Sequence, residues 1–125
     1  MPAAAATLLE AIDAYLNAFN ARDEAGIVAA LHPDVTVKLH GAVAATGRDV
    51  ILPSYHSDWA AGKTVGVVKG PTTDGDLAKG TAAVTLEAIT PPAAGTGGSE
   101  QRQQVSVVYH YEGGVQVVHD IVSVA

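Results

Sequence analysis

The stretch VSVVYHYEGGVQVVHDIVSV, residues 105–124, decides the fold class. Gly113-Gly114 divides it into two strands, because two glycines accept the positive φ angles of a tight hairpin turn. Regular pairing from that turn sets Tyr109 against Val118, Val107 against Asp120, and Val105 against Val122. The other face then carries His110 against Val117, Val108 against His119, and Ser106 against Ile121. Both faces are largely apolar, whereas a sheet wetted on one side alternates more cleanly. One face is expected to lie under the chain's own helices. The other, with Val108, His110, Val117, His119 and Ile121, is expected to meet a second copy in a homodimer.

Upstream of the hairpin, period-two patterns predict strands at 64–70 and 81–90, with 102–112 and 115–124 as the hairpin itself; Asp74-Gly75-Asp76 is a turn. Residues 91–100, rich in Pro, Gly and Ala, read as a flexible connection. Gly95 to Gly98 lacks the strand-to-helix context of a phosphate cradle.

Before these strands the period is helical. Thr7 and Glu10 make a capping box for a stripe of Leu8, Ile12, Tyr15 and Phe19. Asp23 caps a short second helix, and His32-Pro33-Asp34 is a turn. Val35, Val37 and Leu39 alternate as a strand, and Asp49 caps a third helix running to about Ala61, with Leu52, Tyr55 and Trp59 on one stripe. Pro53 is tolerable there only in the first turn. Helices first and a strand meander afterwards predict an α+β domain over residues 1–125, with three N-terminal helices on a curved antiparallel sheet.

Composition narrows the function. The chain has 125 residues, 48% apolar and 16% charged, which suits one packed core. A net charge of −6 repels phosphate backbones and anionic lipid, so neither nucleic acid nor a membrane surface is an expected partner. The absence of cysteine excludes disulfides and thiolate metal sites. The opening residues lack a basic segment and do not read as a signal peptide; the expected location is cytoplasmic. The five histidines show neither H-x-x-x-H nor H-E-x-x-H spacing, so no metal and no other cofactor is expected.

The segments YLNAFNARD (15–23), GIVA (26–29) and DVTV (34–37) resemble the opening of ketosteroid isomerases. More broadly they resemble the nuclear-transport-factor-2-like superfamily, which includes SnoaL-type polyketide cyclases. Gly47-Arg48-Asp49 leading to Tyr55 is similar to that superfamily's third helix. Val117-Val118-His119-Asp120 with Ser123 is similar to its last strand, including that of kinase association domains. The resemblance spans nearly the whole chain, least at 72–101. It implies a cystatin-like cone around an apolar pocket.

The resemblance also implies roles for single residues. The isomerase's oxyanion-binding tyrosine falls on Tyr15 and a supporting tyrosine on Tyr55. Its general-base aspartate falls on Leu39 and its second acid on Val107, so an ordinary ketosteroid isomerase is not expected. SnoaL-type cyclases use an aspartate near Asp120. In the regular register Asp120 faces the pocket among Val107, Tyr109, Val118 and Val122, where lost hydration favours a protonated acid.

The expected machinery is therefore Asp120 as acid/base and Tyr15 as oxyanion donor supported by Tyr55, with His40 at the pocket mouth. Phe19, Leu39, Trp59, Val107, Tyr109, Val118 and Val122 are expected to line the pocket. The ligand would be a small apolar cyclic or polyketide-like molecule, isomerised or cyclised by proton transfer. The alternative is a non-catalytic ligand carrier or an oligomerisation scaffold.

Overall fold

The structure, a computed structural model, describes residues 7–92 and 97–124. Part of the 91–100 connection, two residues of the Gly95–Gly98 stretch, and the first six residues, on which the signal-peptide reading partly rests, lie outside them.

Thr7 caps α1 (Leu8–Asn20): its hydroxyl accepts from the Glu10 N–H at 3.1 Å. Leu8, Ile12, Tyr15, Leu16 and Phe19 are buried along it. Asp23 caps α2 (Glu24–Ala30) through the Gly26 N–H. The chain passes directly from α2 into β1 (Leu31–Leu39). The turn expected at His32-Pro33-Asp34 is instead strand, and Pro33 falls where the β1–β6 pairing is interrupted, so its missing N–H breaks no ladder.

His40 and Gly41, at φ 51° and 83°, turn the chain into β2 (Ala42–Thr46). This strand is absent from the sequence reading, because an alanine-rich run carries little strand preference. The third helix, α3 (Arg48–Ala60), starts one residue before the expected cap. Gly47, at φ 102°, holds the cap position, and Asp49 lies in the first turn, where a carboxylate suits the helix dipole. Pro53 lies beyond that turn and is exposed. Arg48 donates to the Val28 and Leu31 carbonyls, tying α3 to the end of α2.

The remaining strands are β3 (Thr64–Gly75), β4 (Lys79–Thr90), β5 (Gln101–Glu112) and β6 (Val115–Val124). They complete a six-stranded sheet in the order β2-β1-β6-β5-β4-β3. The sheet is not wholly antiparallel as expected, since β1 and β6 run parallel. Only two helices precede the sheet; α3 is inserted between β2 and β3. Strand direction and order leave no mark on alternation, which records only burial. Helix α1 lies over β3 and β4, and α3 over β1 and β2. The inner face of β5 and β6 is left as the floor of a space between the two helices. Among the described residues no helix is long and apolar enough to cross a membrane.

The β5–β6 register departs from regular pairing. Glu112 faces Val115 and Tyr111 faces Gln116, but His110 then faces Val118 and Tyr109 faces His119. Val117 is an extra residue in β6, a β-bulge, and a second irregularity follows between Ser106 and Val107. A one-residue slip exchanges the faces of a strand. His119 and Ile121 consequently face inward, with Gln116, while Val118 and Asp120 face outward.

Candidate functional site

The helices and the inner sheet face enclose a cavity of about 420 Å³. Tyr15, Leu16 and Phe19 of α1 and Ile51, Ser54 and Tyr55 of α3 form its upper walls. Val107, Tyr109, His119 and Ile121 of β5 and β6 are prominent in its floor. The wall is mostly hydrocarbon, so any polar group inside must find its partners within the site.

Six polar side chains do so in a connected cluster. The Tyr15 and Tyr55 hydroxyls are hydrogen-bonded at 2.6 Å. The Tyr109 ring meets Tyr15 edge-on at 5.4 Å between centroids and His119 at 4.9 Å. His119 Nε2 is hydrogen-bonded to Gln116 Oε1, and Gln116 Nε2 donates to the Tyr111 hydroxyl at 2.8 Å. Gln116 is fully buried and His119 is 6% exposed.

Burial sets the protonation of this cluster. Loss of hydration raises Tyr15 well above the ordinary phenol value, and the neighbouring tyrosines raise it further. Tyr55 is pushed up to about 12 by burial, partly offset by its bond to Tyr15. Tyr109 is raised by burial, with a hydrogen-bonding contribution from Tyr15 only partly opposing it. Burial lowers His119 to about 4. Near neutral pH the floor therefore presents uncharged phenols beside an uncharged imidazole: donors and a base, with no fixed charge. Polar side chains also line the cavity away from this floor. Lys63 is paired with Asp58 at 3.0 Å, and Ser54 donates to the Ile51 carbonyl.

The structure brings together Tyr15, Tyr55, Phe19, Val107 and Tyr109 from the expected set. It separates the others. Asp120 lies opposite Val108 and beside Lys38 on the outer face, because the Val117 bulge shifts the register. Val118 moves outward with it, and Val122 is 52% exposed. Leu39 ends β1 and is 42% exposed; Val37, one turn of the pleat earlier, lines the cavity instead. His40 is in the β1–β2 turn, where its Nδ1 meets the Val122 carbonyl at 3.2 Å. Trp59 backs the wall without lining it, packing on Phe19 and Tyr55 while its Nε1 donates to the Phe19 carbonyl at 2.8 Å.

Three residues of the cluster, His119, Gln116 and Tyr111, escaped the sequence reading. The available signal was the doublet Val117-Val118, where strict alternation fails and a bulge is a natural way to keep both flanking polar residues on one face.

No protein-family model matches the chain, and no curated protein matches its sequence. Solved structures do match in fold. An uncharacterised cystatin-fold protein from Novosphingobium aromaticivorans superposes with a TM-score of 0.75 at 19% identity, over 92% of this chain and 97% of that one. A candidate polyketide cyclase from Sinorhizobium meliloti gives 0.61 at 18% identity, over 90% and 93%. A candidate ketosteroid isomerase from Kribbella flavida gives 0.64 at 19% identity, over 89% and 73%. The chain thus has the cystatin-like, NTF2-like fold. At these identities the likeness extends to architecture and not to chemistry.

Proposed function

We propose that this chain binds a small, mostly apolar, cyclic or polyketide-like carbonyl compound and moves a proton on it without a cofactor, as in isomerisation or cyclisation. The observation that carries this reading is the uncharged Tyr15–Tyr55 pair in the wall and neutral His119 in the floor of one apolar cavity. Either hydroxyl of the pair can donate to the other; in the arrangement with Tyr55 as donor, the Tyr15 proton is directed to a ligand oxygen as negative charge develops there. His119 takes the place expected of Asp120: its ring accepts a proton from the carbon next to the carbonyl and returns it at the product carbon. The cyclase and isomerase names of two fold neighbours are compatible with this chemistry.

The test is hydrogen–deuterium exchange at the carbon beside the carbonyl of bicyclic aromatic ketones in D2O, followed by NMR. Enzyme-dependent exchange that falls about 10²–10⁴-fold in His119→Gln is the expected result, the usual loss for a general base. Binding without exchange would make the protein a carrier. With neither binding nor exchange the reading fails. Since Leu39 and Val107 occupy the isomerase carboxylate positions, no rapid isomerisation of Δ5-3-ketosteroids is expected.

The outer sheet face is proposed as the homodimer surface. Its members are revised by the register: Val108, His110, Val118 and Val122 share it, while His119 and Ile121 have turned inward.

A further inference from the structure

In an unbroken strand, residues three apart point to opposite faces. Gln116 and His119 are three apart and both point inward, facing Tyr111 and Tyr109 across the ladder. The Val117 bulge is what makes this possible, and it brings a fully buried amide against a buried imidazole. The amide is polarised by its own partners: its Nε2 donates to Tyr111, leaving Oε1 for His119 Nε2. A carbonyl oxygen only accepts, so Nε2 of the ring carries the proton and Nδ1 keeps its lone pair. Among the described residues no hydrogen bond reaches Nδ1, and every side-chain nitrogen or oxygen that is shut off from solvent has a partner. The Nδ1 edge is thus open, in a residue that lines the cavity.

We propose that Gln116 is a positioning residue which, held by Tyr111, selects the Nε2–H tautomer of His119 and so presents Nδ1 to the ligand as the base. The proposal rests on the reading of His119 as that base. An amide suits this task where a carboxylate does not. A carboxylate at 116 would stabilise the imidazolium and turn a neutral base into a charged acid. The other groups facing the ring are the phenols of Tyr15 and Tyr109, neither of which brings a charge near neutral pH. Gln116 thereby orients the ring and fixes its proton without charging it.

The experiment reads the ring directly. The 15N and 13C shifts of His119, assigned by their loss in His119→Phe, distinguish the tautomers between pH 5 and 8. The expected wild-type spectrum is a single neutral Nε2–H form throughout. Gln116→Leu should give a mixture of both neutral tautomers, and Gln116→Glu should raise the His119 midpoint by about 1–3 units. A wild-type Nδ1–H form, or a tautomer indifferent to Gln116→Leu, overturns the proposal. If either variant fails to fold, the wild-type spectrum alone decides. The readout needs no ligand, so failure of the ketone-exchange assay would sink the proposed function and leave the tautomer measurement standing.

Discussion

An imidazole held neutral by burial makes folding sensitive to acid. The folded value of His119 is about 4, below the ordinary 6.5. Between those limits the unfolded chain binds a proton that the folded chain refuses. The stability contributed by this residue is therefore complete above about pH 6.5 and is lost as pH falls toward 4. At about 1.4 kcal/mol per unit the loss approaches about 3 kcal/mol. Urea melts across this range should show the slope, and His119→Leu should flatten it; an unchanged slope would place the acid sensitivity elsewhere. The tyrosine pair behaves differently. Tyr55→Phe leaves the Tyr15 hydroxyl without its 2.6 Å partner in an apolar site, at a cost of about 1–3 kcal/mol. Adding Tyr15→Phe removes the orphan, so a double-mutant cycle should show the two changes costing less together than their sum. In the exchange assay Tyr15→Phe alone should slow turnover about 10²–10³-fold, as for a lost oxyanion donor.

The elements are held to one another by a few polar ties that can be cut singly. The Asn20 side chain at the end of α1 donates to the Val65 carbonyl and accepts from the Val65 N–H, both at 2.9 Å, much as a neighbouring strand would. Asn20→Ala should cost about 1 kcal/mol and speed amide exchange at Val65 while leaving α1 helical. Protection at Val65 that survives the change would show that β4 alone holds this end of the strand. Elements such as α1 were legible because their signals are local: the Thr7 cap and the Leu8–Phe19 stripe depend on residues within about three turns. The candidate site was legible to the same extent, in Tyr15, Phe19 and Tyr55 on helix stripes and in Val107 and Tyr109 on regular β5. What failed depends on partners. Val117 looks like any strand valine until Tyr111 and His110 take their places opposite it, and that single extra residue decides whether Asp120 or His119 reaches the cavity. The parallel β1–β6 pair was hidden for the same reason, since Val35 and Val37 alternate identically beside a parallel or an antiparallel neighbour.

At the scale of the molecule, the outward set of Val108, His110, Val118 and exposed Val122 carries the proposed self-association. Val108→Asp should shift a dimer toward monomer in sedimentation at micromolar concentration while leaving ligand binding intact; a wild-type protein that sediments as a monomer would remove the proposal. The strand order has a further consequence for how the protein is made. Strand β6 lies between β1 and β5, yet it is synthesised after the other five. Until it leaves the ribosome the sheet exists as two pieces, β2-β1 and β5-β4-β3, each with an unpaired edge of the kind that recruits other chains. His119 and its amide partner arrive on the same segment, so site and sheet are completed in one event. On a stalled ribosome, pulling force from folding should remain low with β5 outside the tunnel and rise when residues 115–124 emerge. Until then, each nascent chain depends on isolation from its neighbours on the same message.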